Sequence, residues 1–557
     1  MNIKNCLLSV SLLTGFALAS TAQTHYQMTI YDKNGFTYNF DVNQIKEMTF
    51  AEVPYSEEEI AAFNDAIENV CFHLRGTLGR RYMEAQSLAS DEFTAVSFDG
   101  DYYDGGAYAN PSLHNNTATD ATIYWGSDVI NGINKANMFL ANYGNMASEQ
   151  QKAAIRAMRA YFTWIYMDSF GDTPILDKVP AEGETIERAP RKEVAEWIEK
   201  ELKEIIPSLT EEVSENTYGK PTRWMAEALL AKLYINWPVY TAESTDLYDA
   251  TTANNVKLND CIAICDDIIN SGKFNLGDNV DYLHKFSYNN GAHIKDFIYA
   301  MPYDALTQQG MQYARSHSFR QLKNLLPNVY GSSQAFNQSF GGYIVVTPEF
   351  VKLFCLEGDI RNLCILRGDI YNRDANTLRP TTEPFIYDNK QVHFTEAITL
   401  KNVDNNINVG KDADAYQQGC HSIKWFTTPE DYNNGRNQSN DLPIFRYADI
   451  LLTKAEALTR LGQGGAMDLF NQIRTYAGAP TLSAEPTLND IYDERGRELF
   501  DENWRRNDMI RFGHFEDEFF PHYQTFPSAN FDKRHRIFPL DQTLLDQNPN
   551  WKHNPGY

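Results

Sequence analysis

Glu494 and Glu498, in the stretch DERGREL, are the residues whose spacing most resembles a catalytic pair. Four apart on a helix they share a face, and two carboxyls about 5 Å apart serve a retaining glycosidase as nucleophile and acid/base. The neighbouring cations argue the other way. Arg495 and Arg497 sit between and beside them, and Arg505, Asp508 and Arg511 follow at intervals of three. Ion pairs of this kind lower carboxylate pKa values, whereas a general acid must keep its proton. Structural ion pairing is therefore the expectation. A second acidic stretch, FDGDYYDGGAYANP (residues 98–111), starts like a calcium loop. Asp99 and Asp101 fit the first and third positions of an EF-hand. Tyr103, Asp104 and Asn110 then stand where an oxygen ligand, a glycine and a bidentate carboxylate are required. An irregular calcium loop, a tyrosine-rich sugar platform and a solvated connector all stay open at this point. The chain contains no HExxH, GxSxG, P-loop or helix-opening GxGxxG pattern, and its 12 histidines are scattered. No cofactor and no metal is expected. Cys261 and Cys265, four apart in a helical pattern, are poorly placed for a disulfide and read as small core residues.

Composition narrows the partners. Lys and Arg total 49 against 74 for Asp and Glu, a formal charge of −25 over 557 residues, which disfavours nucleic acid and anionic lipid. Aromatics reach 13 %, with 32 Tyr and 32 Phe, so some rings are expected at surfaces where they can stack on sugars or partner proteins. The opening MNIKNCLLSVSLLTGFALASTAQ has a basic start at Lys4, an apolar run from Cys6 to Ala19 and small residues at Ser20 and Ala22. It reads as a secretory signal peptide over residues 1–22. No later apolar run is long enough to predict a transmembrane helix.

The elements that must hold these residues are mostly helical. Apolar and polar residues alternate on both sides of Asn34-Gly35, predicting a β-hairpin within an appendage at 23–52. From Ser56 the period changes: Ile60, Phe63, Ile67, Val70 and Leu74 mark an amphipathic helix opened by glutamates. Further helices are predicted at 125–143, 149–170, 191–206, 222–237, 258–271, 347–355, 446–461, 465–477 and 489–501. Long loops are predicted at 92–120, 272–345 and 370–442. The pair at 446–461 and 465–477, broken by GQGG, has the length and small contact residues of a tetratricopeptide-like hairpin, and 222–237 with 258–271 is similar.

Several stretches together resemble the SusD/RagB family of Bacteroidetes: RAMRAYFTWIYMDSFGDTPIL (156–176), GKPTRWMAEALLAKLYIN (219–236), GGYIVVTPEFVKLF (341–354), PIFRYADILLTKAEAL (443–458), ERGRELFDENWRRNDMIRFG (494–513) and FPLDQTLLDQNPNWKHNPGY (538–557). The resemblance implies a mostly α SusD-like domain over 53–557, with tetratricopeptide-like helix pairs and long irregular loops. It also implies a surface-exposed position at the outer membrane, capture of oligosaccharide or another nutrient, and delivery to a SusC-like TonB-dependent transporter, without catalysis. The motif residues would be architectural: Arg159 and Phe170-Gly171-Asp172 at a helix and its exit, Arg446 and Glu456 in the frame, Glu494, Arg495 and Glu498 in ion pairs, and Asn554 to Tyr557 docking the chain end. The family's binding residues lie on variable loops, so candidates are named by loop position and chemistry: Asp101, Tyr102, Tyr103 and Tyr108, then Tyr313, Arg315 and His317 from QQGMQYARSHSF. Two departures from the family pattern stand out. Gln23 occupies the place of the usual lipobox cysteine, so lipid anchoring is not expected. The hairpin resembles a short segment at the start of other exported Bacteroidetes proteins and lies outside the usual frame. The competing readings are a helical glycoside hydrolase using Glu494 and Glu498, and a surface scaffold or adhesin without glycan affinity.

Overall fold

Helix signals in the sequence translate closely into helices because their apolar stripes find a buried partner face, and side-chain caps add to this at some of them. The computed structural model describes residues 26–31, 36–48, 54–120, 122–277, 280–401, 406–517 and 531–557. The signal peptide expected at 1–22, Gln23 and the Asn34-Gly35 turn lie outside the described residues. The helices of two turns or more are α1 (Glu57–Cys71), α2 (Tyr82–Leu88), α3 (Trp125–Tyr143), α4 (Glu149–Phe170), α5 (Arg191–Ile205), α6 (Arg223–Ile235), α7 (Leu258–Asn270), α8 (Tyr447–Arg460), α9 (Ala466–Ala477), α10 (Leu488–Glu498) and α11 (Arg505–Phe512). Ser148 and Gln151 form a reciprocal capping box at α4, and Thr487 with Asp490 repeats it at α10. Each box satisfies backbone N–H groups that the first turn leaves open. Gly465 before α9 and Gly478 after it both take left-handed φ, 102° and 71°, so GQGG breaks the chain between α8 and α9 as its glycines predict.

The described residues fall into two units, one ending at Ala61 and one running from Ala62 to Tyr557. In the first, strand β1 (Gln27–Tyr31) pairs antiparallel with β2 (Thr37–Asp41), Ile30 opposite Tyr38. Ile30, Tyr31, Tyr38 and Phe40 are all exposed. This unit runs past the hairpin into the first turn of α1, where Ile60 is exposed.

In the second unit successive helices pack as neighbours: α3 on α4, α4 on α5, α6 on α7, α7 on α8 and α8 on α9. Small residues allow the approach. Ala226, Ala228 and Ala231 on α6, and Ala448, Ala455 and Ala457 on α8, are buried. The two helix pairs expected at 222–271 and 446–477 are thus present, joined through α7 and α8. Cys261 and Cys265 are fully buried and unbridged on α7. The helix expected at 347–355 is instead one 3-10 turn, Phe350–Leu353, preceded by a strand that ends at Val346. Tertiary pairing wins over the local pattern there.

The long loops are braced rather than free. Strand β3 (Phe93–Ala95) pairs with Ile344–Val346, Phe93 opposite Val346, and Phe297–Met301 pairs with Leu442–Arg446. All described sheets are two-stranded ladders of this kind. Loop aromatics fill the space between them, as where Phe340 stacks on Tyr432 at 4.1 Å. Among the described residues no helix is long and apolar enough to cross a membrane.

The motif residues of the frame take architectural positions. Arg159 donates to Asn137 Oδ1 at 2.7 Å and pairs with Glu201, tying α4 to α3 and α5. Gly171 ends α4 at φ 79°, and Asp172 Oδ1 then accepts the first N–H of α5 from Arg191 at 2.9 Å. Asn554 donates to the carbonyls of Phe170 and Phe538, and the Tyr557 hydroxyl donates to Ile537 O, which docks the chain end.

Candidate ligand-binding face

The face is built from the bottom of the stretch FDGDYYDGGAYANP. Phe98 and Asp101 exchange backbone hydrogen bonds at 2.9 and 3.2 Å, with Asp99 and Gly100 between them at φ 48° and 99°. Two central residues of positive φ make a tight hairpin turn, for which Asp-Gly is among the best sequences. Tyr102, Asp104, Gly105 and Gly106 also take positive φ, so the chain coils on itself and projects side chains outward instead of running on as a strand.

The two acids that fit a calcium loop are taken by cations of the protein. Asp99 accepts from Lys401 Nζ at 2.9 and 3.1 Å and from Asn408 Nδ2 at 3.0 Å. Asp101 pairs with Arg320 at 2.7 Å and Lys411 at 2.9 Å. The hydrogen bonds from Asn408 and Lys401 hold Asp99 below the usual carboxylate range, and the bond from Lys411 does the same for Asp101. Among the described residues no cluster of three or more His, Cys, Asp or Glu is arranged to hold a metal ion.

Tyr102 stacks on Tyr343 with centroids 4.4 Å apart and planes 18° apart, and the Arg320 guanidinium lies over Tyr102, Phe98 and Tyr416 at 5.1, 4.8 and 5.8 Å. Arg320 is therefore the keystone: one cation orders three rings and one carboxylate. Tyr343, fully buried, donates its hydroxyl to Glu84 Oε1 at 2.6 Å and fixes the shelf to α2. Beside Asp99 opens a groove of about 360 Å³, lined by Thr399, Lys401, Lys411, Asp412, Asp414 and Gln418 among others. Together these residues offer ring surface, carboxylates, ammonium groups and an amide on one continuous face, the set of groups that contacts a polyhydroxylated ligand.

The residues singled out by sequence divide. Asp101 and Tyr102 share this face, Tyr102 being half-buried, and Tyr103, next in the chain, is 37 % exposed. Tyr108 is placed behind them, 4 % exposed and packed on Tyr343 at 4.4 Å. Tyr313 and His317 are interior residues. QQGMQYARSHSF contains a short helix, Tyr313–His317, and residues four apart on it turn the same way. Both turn inward: Tyr313 accepts from Asn503 Nδ2 at 2.8 Å, and His317 Nε2 lies 3.4 Å from Asp501 Oδ1. A buried ring with these partners presents no surface to a ligand. Arg315, between them, points to the other side, is part-exposed and donates to Gln312 Oε1 at 3.2 Å. Arg320, Lys401, Lys411 and Tyr416 escaped the sequence reading. They lie more than 200 residues from the stretch they complete, and nothing in their local spacing marks them.

A larger open groove of about 560 Å³ beside α9 is lined by Asn275, Asp468, Asn471, Gln472 and Tyr476. The Tyr476 ring there has Lys285 over one face at 4.4 Å, and Tyr447 also lines the groove.

A sequence model described as the SusD family matches residues 295–557, and one described as starch-binding, associating with the outer membrane, matches residues 52–235. The chain is 22 % identical over 452 residues to the starch-binding protein SusD of Bacteroides thetaiotaomicron, covering 76 % of each. It is 24 % identical over 456 residues to SusD-like protein P2 of Formosa agariphila, covering 76 % of this chain and 78 % of that one. Among solved structures it is similar to a laminarin-binding SusD-like protein, at 21 % identity and TM-score 0.65, covering 90 % of this chain and all of the other. It is also similar to surface glycan-binding protein A from Bacteroides thetaiotaomicron in complex with laminarihexaose, at 18 % identity and TM-score 0.63, covering 89 % of this chain and 99 % of that one.

Proposed function

The chain belongs to the SusD/RagB family, and from that premise we propose that it is a glycan-binding protein at the outer-membrane surface, with its ligand face around Tyr102, Tyr103 and Arg320. The observation that carries the reading is the ordered shelf of Tyr102 and Arg320 next to the exposed ring of Tyr103 and the polar groove beyond Asp99. Sugar rings present C–H faces that stack on aromatics, and their hydroxyls both donate and accept hydrogen bonds. A shelf held rigid before ligand arrives lowers the entropic cost of binding. Relatives named for binding starch and laminarin favour an oligosaccharide over other nutrients. In this proposal the chain has the domain plan expected from sequence: a leader at 1–22, an appendage at 23–52 and the binding domain from 53 onward. It hands its ligand to a SusC-like TonB-dependent transporter and carries out no chemistry on it. The pairing of Glu494 and Glu498 with buried arginines supports the last point, since neither is presented to a surface groove.

Affinity electrophoresis and calorimetry against a panel of neutral polysaccharides that includes laminarin and starch test the reading. Tyr103→Ala, which removes an exposed ring with little packing to lose, is expected to weaken binding about tenfold, equivalent to about 1.4 kcal/mol. Tyr102→Ala with Tyr103→Ala is expected to abolish it. Retention of full affinity in the folded double variant would move the ligand away from this face.

A further inference from the structure

We infer that the ligand of this face is an uncharged glycan and that glycans bearing carboxylate or sulfate groups are rejected. The inference rests on the glycan reading above and adds the ligand's charge. At the groove and its rim, Lys401, Lys411 and Arg320 are the cations, and each is committed to a carboxylate. Lys401 is shared between both oxygens of Asp99 at 2.9 and 3.1 Å, Lys411 meets Asp101 at 2.9 Å, and Arg320 meets the same carboxylate at 2.7 Å. Asp412 and Asp414 add two further carboxylates to the groove wall, with no cation among the described residues bonded to either, and the Asp412 carboxylate accepts the backbone N–H of Ala415 at 2.8 Å. Among the described residues, three cations thus face four carboxylates. Arg315, the remaining candidate cation, bonds to Gln312 and does not line the groove.

Recognition of a sugar acid or sulfate needs donors free to make charge-assisted bonds to the anion, preferably a guanidinium fork. Here the Arg320 fork is held against Asp101 and three rings. Releasing Lys401 to an incoming anion would expose that anion to Asp99. The chain as a whole carries −25, so the long-range field also opposes an anion's approach. A neutral sugar meets none of these costs. Its hydroxyls can donate to the carboxylates and accept from the same ammonium groups without breaking the ion pairs.

The test pairs each neutral polysaccharide that binds with its own sulfated and carboxymethylated derivatives, so that linkage and length stay fixed while charge changes. At low ionic strength the derivative is expected to bind at least tenfold more weakly. Added salt should narrow the gap, because the repulsion is between exposed charges and is screened. The double change Asp412→Asn with Asp414→Asn should narrow it too, without salt and without loss of thermal stability. Derivatives that bind as tightly as the parent, or more tightly with the gain abolished by Lys401→Ala, would overturn the charge rule and leave glycan binding standing. Binding of neither form across the panel would overturn both.

Discussion

Glu498 accepts from Arg446 at 2.9 Å and lies 3.2 Å from Arg361, which also reaches Glu494 at 2.7 Å. Burial alone would raise the Glu494 pKa, but Arg361, Arg497 and Arg474 outweigh it and hold the carboxyl below its ordinary range. That is the state expected from Arg-rich DERGREL, and it fits a strut better than a general acid. Glu498→Gln keeps the shape and removes one charge from a network in which Arg446 keeps Asp296 and Glu502, and Arg361 keeps Asp359 and Glu494. The cost is that of weakening charged hydrogen bonds, about 1.5–3 kcal/mol, below that of stranding a buried charge outright. A lower melting temperature is expected, while protein still folded binds glycan as before. A stable Glu498→Gln protein that had lost a glycan-cleaving activity would show the pair to be catalytic instead. Arg320→Lys asks the complementary question on the ligand face. Lysine can still meet Asp101 but cannot lie flat over Tyr102, Phe98 and Tyr416. Affinity is expected to fall several-fold with little change in stability, as read by calorimetry beside a thermal melt.

Helices were legible from their apolar stripes, as in α3 and α4, whose ends match the sequence reading although only α4 carries a side-chain N-cap. Long loops were legible only as loops. Their structure comes from pairing across the chain, such as Phe93 against Val346, and no local pattern encodes a partner so far away. The same limit divided the candidate site. The stretch 98–111 was recognisable from its own composition, but the roles of Asp99 and Asp101 were set by Lys401, Lys411 and Arg320. The inward turn of Tyr313 and His317 depended on a short helix that QQGMQYARSHSF does not announce. How that helix docks can be tested. Gly79 and Gly310 bring two backbones together, with Gln312 N donating to Gly79 O at 3.0 Å, and a Cβ added at Gly79 would stand 2.3 Å from Gly310 O. Backbone faces it from the other side, so neither part can yield cheaply. Gly79→Ala is expected to destabilise by several kcal/mol, about the cost of overpacking a close contact, and to loosen the segment that carries Arg315 and Arg320. Faster amide exchange around 312–320 in the variant would register that loosening, whereas unchanged exchange and melting would show that the contact is dispensable.

Across the whole molecule, buried titratable groups of opposite sign set the response to pH. Burial raises Asp441 from 3.8 to about 7 despite a bond from Tyr303 N–H, and raises Glu227 from 4.5 to about 7 despite its pairing with Arg223. Burial lowers His421 and His535 from 6.5 to about 4 each. The two kinds of group act in opposite directions. Between the unfolded and folded values of the acids, the folded state holds protons that the unfolded chain has lost, so their contribution to stability is present at low pH and declines as pH rises toward 7. The histidines reverse this: the unfolded chain holds their protons between about pH 4 and 6.5, so stability from them is complete above 6.5 and is lost as pH falls to about 4. From about pH 4.5 to 6.5 these two acids oppose the two histidines, and buried Glu92 and Asp501, which burial also raises, add to the acids' side. Asp441→Asn removes one acid from that balance while keeping an acceptor for Tyr303 N–H. The variant's stability relative to the parent is expected to rise with pH across that window, by up to about 1.4 kcal/mol per pH unit. Urea unfolding of parent and variant at pH 4.5, 5.5 and 6.5 measures the difference directly. A parent-minus-variant difference that stays constant over those three values would show that Asp441 is ionised in the folded protein throughout, and that the balance is struck by other groups.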